Sequence, residues 1–247
     1  MNSLEKALWI INRLAMPPYE MTLSELAREL GMTPGGVSKI MATLEQQFFV
    51  ARNLSSKTYS IGPSHLRLSY VYNQMRGIQS IGVPFLHKIR DLTGETATIS
   101  IREGTEGFLA YKVEGNSFLR SLVRVGKHLA INGGAAGKLL AAWLPEEVRE
   151  KALANRVLER MTPHTLVDPQ LLRKEYEKIR SRGYSLSLGE VTEGEMGLAV
   201  PIFDKDTAVW CCLTIGSTED KKHRLEEWLP MLEECAARIS EALQFRR

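Results

Sequence analysis

Residues 133–138 read Gly-Gly-Ala-Ala-Gly-Lys, which invites comparison with a phosphate-cradling loop. That chemistry needs four residues between the outer glycines and a Ser or Thr after the lysine to hold Mg²⁺. Here Gly133 and Gly137 enclose three residues and Leu139 follows Lys138, so nucleotide hydrolysis is excluded. What is left is a small-residue helix start at Gly134, Ala135 and Ala136, whose N–H groups a small anion can approach closely. The same residues would equally allow a helix to pack tightly on a sheet. Glu190, Glu193 and Glu195 form a second candidate. They would hold a divalent cation only if their loop curled around it, and a solvated loop is the simpler expectation. The three cysteines, Cys211, Cys212 and Cys235, include no CxxC pair, and the five histidines are scattered. They read as reduced core thiols of a cytoplasmic protein, with a thiol-based metal or redox site as the alternative. No Ser-His-Asp, Cys-His or paired-carboxylate set assembles, so no catalytic residue, metal or cofactor is expected.

The remaining chemistry is electrostatic. The net charge of +3 is unevenly distributed: residues 1–80 hold 8 Lys and Arg against 5 acids, and the rest of the chain holds 24 of each. Between residues 31 and 80 there are five basic residues and one acid, Glu45. A polyanionic partner for the N-terminal third is the implication.

The elements that would position those charges are legible. Leu4, Ala7, Leu8, Ile11 and Leu14 recur at helical spacing after Ser3, an expected cap, and Pro17-Pro18 stops the run. This is an amphipathic helix and not a signal peptide. Thr22 or Ser24 starts a second helix with Leu23, Leu26, Ala27 and Leu30 inward, and Gly31 ends it. Thr33 caps a third helix, with Pro34 at its first position and Val37, Ile40, Met41 and Leu44 as its buried stripe. Two short helices joined by a glycine-containing turn form a helix-turn-helix. The outward face of the third carries Gly35, Gly36, Ser38 and Lys39, small or donor residues suited to a DNA major groove. Strands at 49–52 and 57–61 around a turn at 53–56 complete a winged helix, with Arg52, Lys57 and Tyr59 on the wing. Ser24 and Thr33, at helix starts, join them as expected DNA contacts. The competing reading is a small helical domain that serves only to pack copies together.

A further helical run follows Pro63, with Leu68, Val71, Met75 and Ile78 as a narrow seam, to pair with its twin in a dimer or to pack on its own domain. Beyond it the pattern turns mixed. Helices are expected at about 82–93, 135–143, 146–153 and 169–182. Strands are expected at 96–102, 107–113, 119–125, 184–188, 196–203 and 208–215. A last helix carries Leu225, Leu229, Leu232, Ala236, Ile239 and Leu243, and Pro230 predicts a kink or a late start. The expected class is α+β, an antiparallel sheet with helices on one side. No apolar run approaches the ~20 residues that span a membrane.

The segments SLEKALWIINRLA, LSELARELGM and VSKIMATLEQQFFV resemble the DNA-binding domain of IclR-family transcriptional regulators. GGAAGKLLAAWLP, RGYSLSLGEVTEGEMGLAVPIFD and CCLTIGS resemble that family's effector-binding domain. The resemblance covers nearly the whole chain. It implies a winged helix-turn-helix at 1–62, a linker helix at 63–80 and a GAF-like α+β effector-binding domain at 81–247. It also implies dimers or tetramers that repress or activate from near-palindromic double-stranded DNA, and a small effector, an organic or aromatic acid. Carried over by position, the effector pocket would take Leu129, Ala135, Ala136, Ser187, Gly197, Thr214 and Gly216. Gly197 and Gly216 are small where relatives carry Cys or Ser, which implies a roomier pocket. Gly35-Gly36 replaces a Lys-Ser or Ser-Thr pair frequent in relatives, which shifts DNA recognition toward the wing and toward shape readout.

Overall fold

The computed structural model describes residues 1–116, 124–204, 206 and 208–244. The chain divides into two compact units, Met1–Arg76 and Gly77–Arg247.

In the first unit, α1 (Ser3–Leu14) is capped by Asn2, not Ser3. The Asn2 side chain accepts the Glu5 N–H and Glu5 accepts the Asn2 N–H, a reciprocal pair that Ser3 lies one residue too late to make. Thr22 and Glu25 repeat the device for α2 (Leu23–Leu30), which leaves Ser24 as its second residue, and Gly31 ends α2 at φ 63°. Thr33 accepts the Gly36 N–H at the start of α3 (Pro34–Gln46). Strand β1 (Met21–Thr22) joins β2 (Val50–Arg52) and β3 (Thr58–Ile61) in an antiparallel sheet of order β1-β3-β2. At two residues, β1 is too short for any alternation to reveal it. Ile10, Leu14, Leu26, Val37, Met41 and Val50 form the core, each contributing about 1.5–3 kcal/mol on full burial. Tyr59 belongs to that core at 7% exposure, which removes it from the expected DNA-facing set. It lies in the middle strand of the sheet, opposite both Met21 and Arg52, and faces inward.

Helix α4 (Ser64–Arg76) corrects the seam expected to run to about residue 80. Gly77, at φ 68°, breaks the helix, and α5 (Ile78–Thr93) restarts at Ile78, four residues before the expected position. Ile78 is fully buried in the core of the second unit, whereas Leu68, Val71 and Met75 remain exposed, Met75 at 81%.

The second unit is built on a six-stranded antiparallel sheet of order β6-β5-β4-β9-β8-β7. Its strands are β4 (Thr96–Glu103), β5 (Glu106–Val113), β6 (His128–Leu129), β7 (Ser185–Leu188), β8 (Glu195–Phe203) and β9 (Val209–Thr218). Between β6 and β7 run α6 (Ala135–Ala142), α7 (Glu146–Asn155) and α8 (Pro169–Arg182). A 3₁₀ turn, Glu219–Arg224, leads into α9 (Leu225–Gln244). The strand expected at 119–125 lies largely outside the described residues, and Arg124 and Val125 are not in a strand. Pro230 does not delay α9, which already runs from Leu225.

Helices cover both faces of this sheet, not one. Ile99, Leu198, Val200, Cys211 and Leu213 pack with α5 and α9 through Leu86, Ile89, Trp228, Leu232 and Ile239. On the other face Ala199 and Cys212 pack with α6 and α8 through Leu139, Leu172 and Tyr176. Central strands buried on both sides read as continuous apolar runs, so their sequence shows no solvated face to contradict a one-sided arrangement. Cys211 and Cys212 point to opposite faces, as neighbours on a strand must.

Candidate functional site

The first unit presents a basic face built on α3 and the β2–β3 hairpin. Val37, Met41 and Leu44 face the core, which turns Pro34, Gly35, Ser38, Lys39, Ala42 and Thr43 to solvent. Gly35 has open space where a Cβ would stand, and Gly36 is tighter, 3.1 Å from the Met32 methyl. Ser24 and Thr33 are exposed, but Thr33 already spends its hydroxyl on the α3 cap. Asn53 orders the hairpin turn, its side-chain oxygen accepting the Ser55 and Ser56 N–H groups at 3.0 and 3.3 Å. Arg52 and Lys57 flank that turn, both exposed, with the Arg52 guanidinium 5.6 Å from the Tyr59 ring centre. Not every basic residue is available. Arg13 is paired with Glu29 at 2.7 Å, which holds the Glu29 carboxyl below its ordinary value. Arg28 and Arg67 are exposed as well, and sequence reasoning singled out neither. Their charge was visible, but helical spacing alone did not say which side they take.

The second unit contains a cavity of 510 Å³ on the α6 face of the sheet. All seven residues expected around an effector line it: Leu129, Ala135, Ala136, Ser187, Gly197, Thr214 and Gly216. Register explains why. Thr96, Gly216, Gly197 and Ser187 form one row across β4, β9, β8 and β7. Thr98 and Thr214 start the next row, and Ser100 and Cys212 the one after. The start of α6 sits over the first row: a Cβ on Gly197 would lie 3.2 Å from the Ala135 Cβ and 3.7 Å from the Ala135 N. Two glycines allow α6 to approach. Gly134 adopts φ 75°, and a Cβ on Gly137 would fall 2.1 Å from the Ala130 carbonyl oxygen.

Two expectations change here. Glu190 is not a solvated loop residue: it is buried, and its carboxylate accepts from Lys138 Nζ at 2.5 Å and from the Gly134 N–H at 3.1 Å. The open N–H groups at the start of α6 therefore begin at Ala135, because Glu190 occupies that of Gly134. Ala135 and Ala136 have no N–H partner among the described residues. Lys138, at 1% exposure, also donates to the Leu186 carbonyl at 2.9 Å and lies 3.6 Å from Glu175. Lys138 acts here as an internal counter-charge, not as a phosphate ligand.

Charged side chains also line the cavity, among them Glu106, Lys127, Arg156 and Glu159. Arg156 pairs with Glu106, donates to Thr105 Oγ1 at 2.8 Å, and His128 Nδ1 stands 3.6 Å from Glu106. The loop carrying Arg156, Glu159 and Met161 is held to the rest. Asn132 donates to the Glu159 and Leu166 carbonyls, both at 2.9 Å, and Thr162 and Thr165 donate to the Gly189 and Glu190 carbonyls, both at 2.6 Å. Thr96, Thr98, Ser100, Leu109, Arg156 and Met161 line the cavity and were not anticipated. The alternating hydroxyls of β4 were the available signal, but only register shows that they share a face with Thr214. Burial pushes the Cys212 thiol up to about 12, and those of Cys211 and Cys235 up as well, which leaves them unreactive. Among the described residues no group of three or more His, Cys, Asp or Glu is arranged to hold a metal, and no helix is long and apolar enough to cross a membrane.

Residues 71–241 match the bacterial transcriptional regulator IclR C-terminal domain, and residues 3–54 match the IclR helix-turn-helix domain. The chain is 30% identical over 202 residues to the HTH-type transcriptional regulator BhcR of Paracoccus denitrificans, across 82% of this chain and 72% of that protein. It is 28% identical over 224 residues to the HTH-type transcriptional repressor AllR of Salmonella typhi, across 89% and 82%. The crystal structure of Thermotoga maritima IclR matches with a TM-score of 0.80 at 31% identity, over 99% of this chain and 100% of that one. An IclR homologue of Microbacterium hydrocarbonoxydans, crystallised with 4-hydroxybenzoate, shares the fold at a TM-score of 0.86 and 19% identity, over 98% and 99%. A winged helix-turn-helix followed by a cavity-bearing α+β domain accounts for both matches, and the chain belongs to the IclR family of bacterial transcriptional regulators.

Proposed function

We propose that this regulator binds a near-palindromic operator in the cytoplasm as a dimer or tetramer, and that a small organic or aromatic acid in the α6 cavity switches it. The observation that carries the reading is the pair of open Ala135 and Ala136 N–H groups beside a 510 Å³ cavity, in a chain that also carries a basic winged helix. A helix start favours a carboxylate through its aligned peptide dipoles. In this reading two copies set their α3 helices in successive major grooves about 34 Å apart. Ser38 and Lys39 approach base edges, while Arg52 and Lys57 approach the backbone. The exposed apolar residues of α4, among them Leu66, Leu68, Val71 and Met75, supply a surface for the second copy. The acid acts only if it binds one arrangement of the copies more tightly than the other. The competing readings are a constitutive DNA-binding protein whose larger domain only oligomerises, which would have no need of a cavity with this lining, and an enzyme whose N-terminal part serves assembly, which turnover of a candidate effector would favour.

The test is a titration of the full-length protein into labelled DNA from upstream of its own gene, at two salt concentrations, with scrambled DNA as competitor. The expected result is competitor-resistant binding that weakens steeply with salt and changes on addition of an acid from a small panel. Lys39→Ala should weaken it by about 1–3 kcal/mol. Binding indifferent to sequence would refute the operator reading, and an isotherm unchanged in Lys39→Ala would remove Lys39 from the interface.

A further inference from the structure

The end of α3 and the start of α4 are fastened together around a residue held in an unfavourable backbone conformation. Helix α3 closes with the Phe48 N–H donating to the Glu45 carbonyl and the Phe49 N–H to the Leu44 carbonyl, both at 2.9 Å. That closure places Phe48 at φ 59°, a left-handed position that glycine or asparagine usually takes. A bulky side chain there is strained, and such a residue persists only where its surroundings over-determine it. Here the surroundings are the first residues of α4 and Gly62 just ahead of it. Ser64 donates through its hydroxyl to the Gln47 carbonyl at 2.7 Å and through its N–H to the Phe48 carbonyl at 3.0 Å. His65 Nε2 donates to the Phe49 carbonyl at 3.1 Å, and its ring meets the Phe49 ring edge-on, with 5.2 Å between centres. The Gly62 N–H donates to the same Phe49 carbonyl at 2.9 Å, and a Cβ on Gly62 would stand 2.3 Å from the Phe48 oxygen. The three successive carbonyls just past α3 are thus all taken by the segment that begins α4.

We propose that Ser64 and His65 are positioning residues that fix α3 on α4, so that the protein itself presets the half-site spacing it accepts on DNA. The inference rests on the reading that two copies pair through α4 and set their α3 helices in two half-sites. Neither residue needs to touch DNA. Both helices belong to the first unit, and four hydrogen bonds onto three successive carbonyls keep one from swivelling against the other. Pairing of α4 then carries each α3 in one orientation. Every base pair added between the half-sites moves the second by about 3.4 Å along the duplex and turns it by about 35° around the axis. Two base pairs amount to about 7 Å and about 70°. A flexible connection would absorb such a turn and keep both helices engaged; a fastened one forfeits the second half-site.

The test uses the full-length protein and the DNA upstream of its own gene, with the half-sites located by footprinting and two base pairs then inserted between them. The wild type should bind the lengthened DNA roughly a hundredfold more weakly, close to its affinity for a fragment that keeps one half-site. The double variant Ser64→Ala, His65→Ala keeps the α3 surface but loses two of the four bonds. Its ratio between the two DNAs should fall below about tenfold. Ser64→Thr, which keeps the hydroxyl, should keep the wild-type ratio. The ratio separates positioning from stability, because a merely structural loss in the first unit lowers binding to both DNAs alike. Should the double variant not fold, either single variant gives the same readout. A wild type indifferent to the insertion, or a variant as strict as the wild type, overturns the Ser64–His65 proposal and leaves the operator reading standing. A footprint with a single half-site, or upstream DNA bound no better than scrambled DNA, overturns both.

Discussion

Replacing Lys138 by Met tests whether the internal ion pair holds the start of α6. The ammonium is buried and makes three contacts: Glu190 Oε1 at 2.5 Å, the Leu186 carbonyl at 2.9 Å and Glu175 at 3.6 Å. Methionine fills nearly the same volume, so the loss is electrostatic and not a cavity. It leaves Glu190 buried with the Gly134 N–H as its remaining donor, beside Glu175. Breaking a buried pair from one side costs about 3–5 kcal/mol, because the surviving charge is stranded. For a unit of this size each kcal/mol lowers Tm by roughly 2–4 °C, which gives a fall of about 6–20 °C. Glu190→Gln should cost less, about 1–3 kcal/mol, since the amide keeps an acceptor for Gly134 and Lys138 keeps Leu186 and Glu175. The double variant Lys138→Met, Glu190→Gln should be more stable than the sum of the two losses allows, since it strands no carboxylate at position 190. The assay is urea unfolding followed by tryptophan fluorescence in a Trp9→Phe background. Trp143, Trp210 and Trp228 then report the second unit alone. A loss below about 1 kcal/mol in Lys138→Met, or strict additivity in the double variant, would refute the reasoning and make Lys138 a bystander.

Other outcomes follow from the same geometry. Gly35→Ala has open space for its methyl on an exposed helix and should stabilise the first unit by about 0.5–1 kcal/mol. If the α3 backbone closes on DNA at that point, the same variant should lose operator affinity in a direct titration, and unchanged affinity would place the contact elsewhere. The native thiols should resist a disulfide reagent at pH 8 and react once the protein is unfolded in urea; a fast native reaction would contradict their burial. The buried Cys212 also predicts a pH trend. Its folded pKa, raised to about 12, lies above the unfolded value, so the unfolded chain loses its proton first and stability falls as pH rises beyond about 9. Cys212→Ala should flatten that decline by up to about 1.4 kcal/mol per pH unit, and an identical decline in both proteins would assign it to other groups.

Local signals determined much of this protein. The run Thr22 to Glu25, Gly31, and Thr33-Pro34 marks two short helices and the turn between them, because caps and left-handed glycines act within a few residues of sequence. The same locality made Val37, Met41 and Leu44 legible as the buried side of α3, and thereby its outward face. The resemblance, not any spacing, brought Ser187, Gly197 and Thr214 together before the sheet order placed them on one cavity floor. What failed locally was what depends on partners far away in the chain. Tyr59 sits on an alternating strand and is exposed or buried according to which face meets the helices; packing chose burial. Ile78 continued an apparent seam until Gly77 divided it from Met75 and the second core claimed it. Glu190 read as one acid in a polar loop until Lys138, 52 residues away, and the Gly134 amide converged on it. Helix periodicity and capping are set by neighbours three or four residues apart, so the sequence carries them openly. Strand register, the second face of a sheet and the partner of a buried charge are set by contacts across tens to hundreds of residues, and only the folded chain decides them.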